Sequence, residues 1–125
     1  MAYKNIHDTF WTDSKIRKLS KDEKLLLLYL ITNPHSHYTG IYYLPEALIP
    51  VESGVGLKAL SKLITGGFVK YDPEAMIVWV VKMARYQMAG KSPKLIQGAY
   101  RHLESIDSFL CGEFETFYEE MLLPI

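Results

Sequence analysis

A helical pattern that ends at Gly66-Gly67 runs straight into two short strand-like segments, and that junction leaves few folds open. Paired glycines accept positive φ and close a helix. Phe68-Val69-Lys70-Tyr71 and Met76-Ile77-Val78-Trp79-Val80-Val81 are rich in β-branched and aromatic residues, and Asp72-Pro73-Glu74-Ala75 between them supplies a reverse turn. The pattern is a β-hairpin attached directly to a helix.

The elements before it are equally well punctuated. Ser20-Lys21-Asp22-Glu23 is a capping box, in which the Ser20 hydroxyl takes the amide three residues on and Glu23 returns to the Ser20 amide. It opens the apolar run Leu25–Ile31, which Asn33-Pro34 stops, so a central, largely buried helix is expected over Lys21–Asn33. A short helix capped by Thr12 or Asp13 precedes it. Gly40-Ile41-Tyr42-Tyr43-Leu44 reads as a brief strand and Pro45 as the opening of a support helix. A further helix spans Val55–Thr65, with Leu60, Leu63 and Ile64 inward and Lys58, Ser61, Lys62 and Thr65 outward. Ser92-Pro93 starts a helix through about Ser105, and a last helix covers roughly Phe109–Leu122. The segment Met83–Gly90 is ambiguous. Helix, strand, helix, turn, helix, hairpin is the order of a winged helix-turn-helix. The expected fold class is therefore α+β and mostly helical, with a small antiparallel sheet and C-terminal helices. Residues 1–90 form the winged-helix domain and residues 91–125 a helical extension packed on it or on a partner chain.

The chain of 125 residues is long enough to build a core without disulfides, and its single cysteine, Cys111, suits a reducing compartment. The longest apolar run has seven residues, short of the roughly 20 a membrane helix needs. With no apolar leader at the N-terminus, a cytoplasmic protein with no membrane partner is expected.

Patterns that resemble catalytic motifs do not hold up. Gly54-Val55-Gly56-Leu57-Lys58-Ala59 matches a dinucleotide fingerprint, but a helix and a turn precede it where a strand is required. Gly90-Lys91-Ser92 resembles a phosphate loop, yet Arg85 stands where that loop has its first glycine and Pro93 removes an amide. His35 and His37 form an incomplete metal site, with only His7 and His102 to add and no supporting spacing. Cys111 beside Leu110 reads as core. The chain is read as non-enzymatic, with no cofactor and no metal.

Formal net charge is zero, but it is unevenly spread. Residues 1–101 carry 14 bases and eight acids, and residues 102–125 carry no base and six acids. Two readings stay open: a polyanion-binding body with an acidic tail, or a tail that packs beside the body and neutralises it. No acid lies between Ser53 and Tyr71, and the 29 residues from Ala75 to Leu103 hold five bases and no acid. Lys58, Ser61, Lys62 and Thr65 suit the groove-facing side of a recognition helix, and Lys82, Arg85, Lys91, Lys94 and Arg101 suit phosphates. The partner implied is DNA, duplex by preference. In the last helix, Leu110 and Phe114 are expected to pack internally, with Phe117, Tyr118 and Met121 supporting a homodimer.

Phe10-Trp11-Thr12-Asp13-Ser14-Lys15-Ile16-Arg17-Lys18-Leu19-Ser20, the leucine-rich helix, Thr32-Asn33-Pro34-His35, Gly40-Ile41-Tyr42-Tyr43-Leu44-Pro45 and Val78-Trp79-Val80-Val81 together resemble a known family. It is the N-terminal winged-helix domain of phage and prophage replication-initiation proteins, the DnaD-like replisome organisers. Lys91-Ser92-Pro93-Lys94 resembles the segment that follows that domain. The likeness covers roughly residues 5–105. It implies a winged-helix fold, origin DNA binding or self-assembly, and no catalysis. A protein-protein interaction module and a transcriptional regulator are the alternatives on the same fold. The turn Asp72-Pro73-Glu74 is acidic where a phosphate-contacting wing carries Lys or Arg, which favours the interaction module.

Overall fold

The computed structural model describes residues 3–90 and 92–122, with Met121 described by its backbone alone. Two layers of helices enclose one small sheet. A 3-10 turn at Asp8–Trp11 leads into α1 (Ser14–Arg17), whose N-cap Asp13 accepts from the amides of Lys15 at 2.8 Å and Ile16 at 3.1 Å. Next comes α2 (Lys21–Thr32), with both bonds of the capping box formed: Glu23 N–H to Ser20 Oγ at 3.1 Å and Ser20 N–H to Glu23 Oε1 at 3.2 Å. Beyond it lie β1 (Ile41–Tyr43), α3 (Leu48–Ser53), α4 (Leu57–Thr65), β2 (Val69–Asp72) and β3 (Ile77–Val80). The ambiguous segment is a short helix, α5 (Met83–Gln87). The C-terminal part holds α6 (Pro93–Glu104), α7 (Phe109–Phe117) and α8 (Glu119–Leu122).

The sheet is antiparallel in the order β1-β3-β2. Its register explains which residues face which layer. Ile41 pairs with Trp79 and Trp79 with Lys70, while Tyr42 pairs with Val78 and Val78 with Tyr71. Side chains alternate across a strand and cross-strand partners share a face. One face therefore carries Tyr42, Val78, Val80, Val69 and Tyr71, packed with Leu26, Leu30, Ile49, Leu60 and Leu63 of α2, α3 and α4. The other carries Ile41, Ile77 and Trp79, packed with Ile96, Ala99, Leu103, Leu110 and Phe114 of α6 and α7. All four residues of β3 are buried because helices cover both of its faces. The first layer with the sheet and hairpin is a winged helix-turn-helix. The second closes the sheet face that a bare winged helix leaves open.

Buried polar groups tie the layers together. Asn33 donates to Tyr29 O and to the Tyr42 hydroxyl, both at 2.9 Å, and its Oδ1 accepts from the His35 amide at 2.8 Å. The Tyr38 hydroxyl donates to Leu95 O at 2.8 Å, and a ring nitrogen of His102 lies 2.6 Å from Ile41 O. Gly40 adopts φ +85°, and a Cβ there would stand 2.7 Å from Val80 O and 2.8 Å from Met83 Cβ. The strand entry needs a glycine for both reasons.

Two expectations about packing are corrected. Ile64 is 40% exposed, and Ala59 takes its place beside Leu60 and Leu63 in the buried face of α4. A nine-residue helix resting chiefly on α2 buries only a narrow arc, and position 64 falls at its edge. The last helix is interrupted at Tyr118. Tyr118 is buried and its hydroxyl donates to Val81 O at 2.5 Å, so it belongs to the chain's own core and not to a dimer face. Leu110 and Phe114 are buried as expected, while Phe117 is 45% exposed. The Met121 side chain lies outside the described residues.

Candidate nucleic-acid interface

α4 is held from one side only. Ala59, Leu60 and Leu63 anchor it in the first core, which leaves Lys58, Ser61, Lys62 and Thr65 exposed on the opposite side. Among the described residues neither Lys58 nor Lys62 takes part in an ion pair. The N-cap is Gly56, which supplies no side-chain acceptor to the first amides, and no acid occupies the first turn. Helix N-termini with free amides favour anions. Leu57 and Ile64, both partly exposed, flank the polar stripe.

The remaining candidate cations do not share this surface. Lys82 follows β3 and lines a cavity together with Gly66 and Gly67, which places it beside the C-terminal end of α4. Arg85 is exposed on α5, next to Tyr118 of the second layer. Lys94 and Arg101 are exposed along one stripe of α6 with Gln97 and Glu104. Because α4 and α6 lie on opposite faces of the sheet, their outward stripes point away from each other. Lys91 lies outside the described residues. The eight described candidates thus divide between two surfaces of the molecule.

The hairpin is drawn into the second layer. Lys70 of β2 forms an ion pair with Glu113 of α7 at 2.6 Å and sits 5.6 Å from the Trp79 ring centroid. At the tip, Asp72 Oδ1 accepts from the amides of Glu74 and Ala75, and Oδ2 accepts from the Ser108 hydroxyl at 2.7 Å. The Ser108 hydrogen bond, with the two amides, holds the Asp72 carboxyl below its ordinary range against the opposing effect of burial. The tip is an acidic turn latched to α7.

Charge partition along the chain is resolved in part by this contact. Among the described residues, Glu113–Lys70 is the one ion pair between the acidic C-terminal stretch and the basic body, while Glu115, Glu119 and Glu120 remain exposed. The histidines have local partners. His35 Nε2 lies 3.0 Å from both Glu52 oxygens, His7 Nδ1 accepts from the Thr9 amide at 3.2 Å, and His37 stacks on His102 at 3.6 Å between ring centroids. Burial first, then the neighbouring His102 and Lys4, pushes His37 down to about 4. Cys111 is half-buried and its thiol is pushed up, first by burial and then by Glu115 and Asp107, which disfavours the reactive thiolate.

Comparison with family models, with curated proteins and with solved structures finds no match to this chain. No helix among the described residues is long and apolar enough to cross a membrane.

Sequence reasoning did not find the cavity near Lys82, which is assembled from distant segments with no shared motif. It also missed the α7 latch on the hairpin. A signal for that latch exists in the sequence, since Ser108 opens the acidic helix and Lys70 is the lone base of the hairpin, but nothing in their spacing brings them together.

Proposed function

We propose that this chain is a non-enzymatic DNA-binding protein of winged-helix type, acting in the manner of phage and prophage replication-initiation domains. It reads duplex DNA through the exposed side of α4. The observation that carries this reading is the stripe of Lys58, Ser61, Lys62 and Thr65, unpaired and outward on the second helix of a helix-turn-helix. Long cations and small hydroxyls there fit base edges and phosphates in a major groove. Lys82, which follows β3 and lies beside the C-terminal end of that helix, adds a phosphate contact.

A second reading, a protein-protein interaction module, is favoured by the hairpin. Its acidic tip and its latch to Ser108 oppose the approach of a phosphate backbone. Duplex-binding assays on Lys62→Ala and Ser61→Ala separate the two. The DNA reading expects each variant to alter preference among sequences. Uniform weakening of all sequences removes α4 as a base reader, and no binding by the wild type at 50–100 mM salt, roughly where non-specific binding is visible, favours the interaction module.

A further inference from the structure

Between the N-terminal segment and α4 lies a cavity of about 130 Å³, closed by parts of the chain that are far apart in sequence. Its walls are apolar: Ile6, Phe10, Leu27, Ile31, Phe68 and Met83 all line it. The N-terminal segment forms its cover and is fastened by a two-point bond. The Asn5 amide donates to Gln87 Oε1 at 2.9 Å, and Gln87 Nε2 donates to Asn5 O at 2.6 Å. Those polar groups are thereby satisfied without a ligand. Asp13 also borders the cavity. Its carboxylate is held down first by the Ile16 and Lys15 amides it caps and then by the charges of Lys82 and Lys15, so it offsets one of those two cations and leaves the rim with a net positive charge.

His7 and Thr9, which also line the cavity, bond each other, and the polar side chains left over around it are those of Lys15, Lys82 and Tyr86. None has a hydrogen bond or an ion pair among the described residues. Two cations and a phenol, set beside an apolar volume, are complementary to an anionic head on an apolar body. An engineered cavity of about 150 Å³ lined by similar side chains accepts benzene, so a single ring matches this volume.

We propose that this cavity binds a small aromatic carboxylate. The ring lies among Phe10, Phe68 and Met83 beneath the N-terminal cover, and the carboxylate lies between Lys82 and Lys15. Binding here does not depend on the DNA reading, since every wall and rim group belongs to the folded chain itself.

Calorimetry and amide NMR on the full chain test the assignment, with 3-phenylpropionate as the probe and 3-phenylpropanol as its uncharged counterpart. The acid is expected to bind roughly tenfold tighter than the alcohol, the factor that one well-placed charged hydrogen bond supplies. Its shifts should centre on Ile6, Phe68 and Met83. The double change Lys82→Gln, Lys15→Gln alters two exposed residues and leaves the core intact, so it should reduce acid binding to the level of the alcohol. Ile31→Phe, with its fold checked by thermal unfolding, should fill the cavity and abolish binding of both. Equal binding of acid and alcohol overturns the carboxylate assignment. Absence of binding, or shifts remote from the cavity, overturns the site.

Discussion

Opposed placement of the α4 and α6 cations turns the salt dependence of DNA binding into a test of geometry. Each phosphate neutralised contributes about −0.9 to the slope of log affinity against log salt. If all five bases from Lys82 to Arg101 faced one duplex, the slope would be about −4.5 before α4 added its own lysines. Lys58 and Lys62 are exposed on α4 and Lys82 lies beside its C-terminal end, and for a duplex docked on α4 that meets those three the slope is about −2.7. Fluorescence anisotropy with a short duplex, too short to hold two proteins, gives the slope between low and moderate salt. Lys58→Gln and Lys62→Gln should each flatten it by about 0.9, and the pair Lys94→Gln, Arg101→Gln should leave it unchanged. A wild-type slope near −4.5 that falls by about two units in the α6 pair would refute the reasoning. DNA would then follow α6 and not α4.

Adding a Cβ at Gly98 would collide with the Tyr38 hydroxyl and displace its hydrogen bond to Leu95. Gly98→Ala is expected to destabilise by about 1–3 kcal/mol in denaturant titration, and an unchanged midpoint would show that Tyr38 is free to move. His37, pushed down to about 4, binds its proton more weakly folded than unfolded, so stability should fall as pH drops from about 6.5 through about 4. Urea midpoints at pH 7 and pH 5 should differ in the wild type, and the difference should shrink in His37→Gln, with the remainder due to His102, which burial also pushes down; equal wild-type midpoints would contradict a buried neutral stack. Phe117→Asp should leave a folded protein because the ring is half exposed, whereas Tyr118→Asp should unfold it by placing a charge in the core. Circular dichroism of the pair checks this, and a folded Tyr118→Asp protein would move that residue back to an interface. Glu74→Lys reverses a charge at the exposed wing tip. If the wing approaches DNA, the salt slope should steepen by about 0.9, and an unchanged slope assigns DNA contact to α4 without the wing.

Much of the fold is legible because its signals are local. The Ser20–Glu23 box, the Asn33-Pro34 stop, the Gly66-Gly67 stop and the Ser92-Pro93 start each act within a turn of where they sit, and each marks a boundary of α2, α4 or α6. The outward stripe of α4 is legible for the same reason, since Lys58, Ser61, Lys62 and Thr65 recur at the i, i+3, i+4, i+7 spacing of one helix face. What local signals do not carry is the choice of packing partner. Tyr118 looks like one more member of an amphipathic stripe until Val81 O is placed against its hydroxyl. Lys94 and Arg101 share sequence neighbourhood with Lys82, but Lys82 sits beside Gly66 and Gly67 at the end of α4, whereas α6 packs on the other face of the sheet. Met83–Gly90 was opaque because its buried residues, Met83, Ala84 and Met88, serve both cores at once.

The second layer changes what the winged helix has to offer. A free hairpin presents one apolar face to the core and one polar face to a ligand, whereas β3 here reads Ile77-Val78-Trp79-Val80, apolar on both sides. Such a strand needs cover on both faces, and α6 and α7 supply it. Having supplied it, α7 also binds Lys70 and Asp72, the polar residues on that face of β2. The hairpin is therefore committed to holding the two layers together, and its acidic tip has no charge to offer a phosphate. On the proposed DNA reading, recognition falls on α4, whose outward stripe of Lys58, Ser61, Lys62 and Thr65 is exposed. The sequence Ser53–Tyr71 keeps that helix and its flanks free of acids, while the six acids of the chain's last 24 residues lie in the layer across the sheet. The uneven charge along the chain thus becomes a charge difference between opposite faces of the fold, which would orient the molecule toward a polyanion with α4 leading.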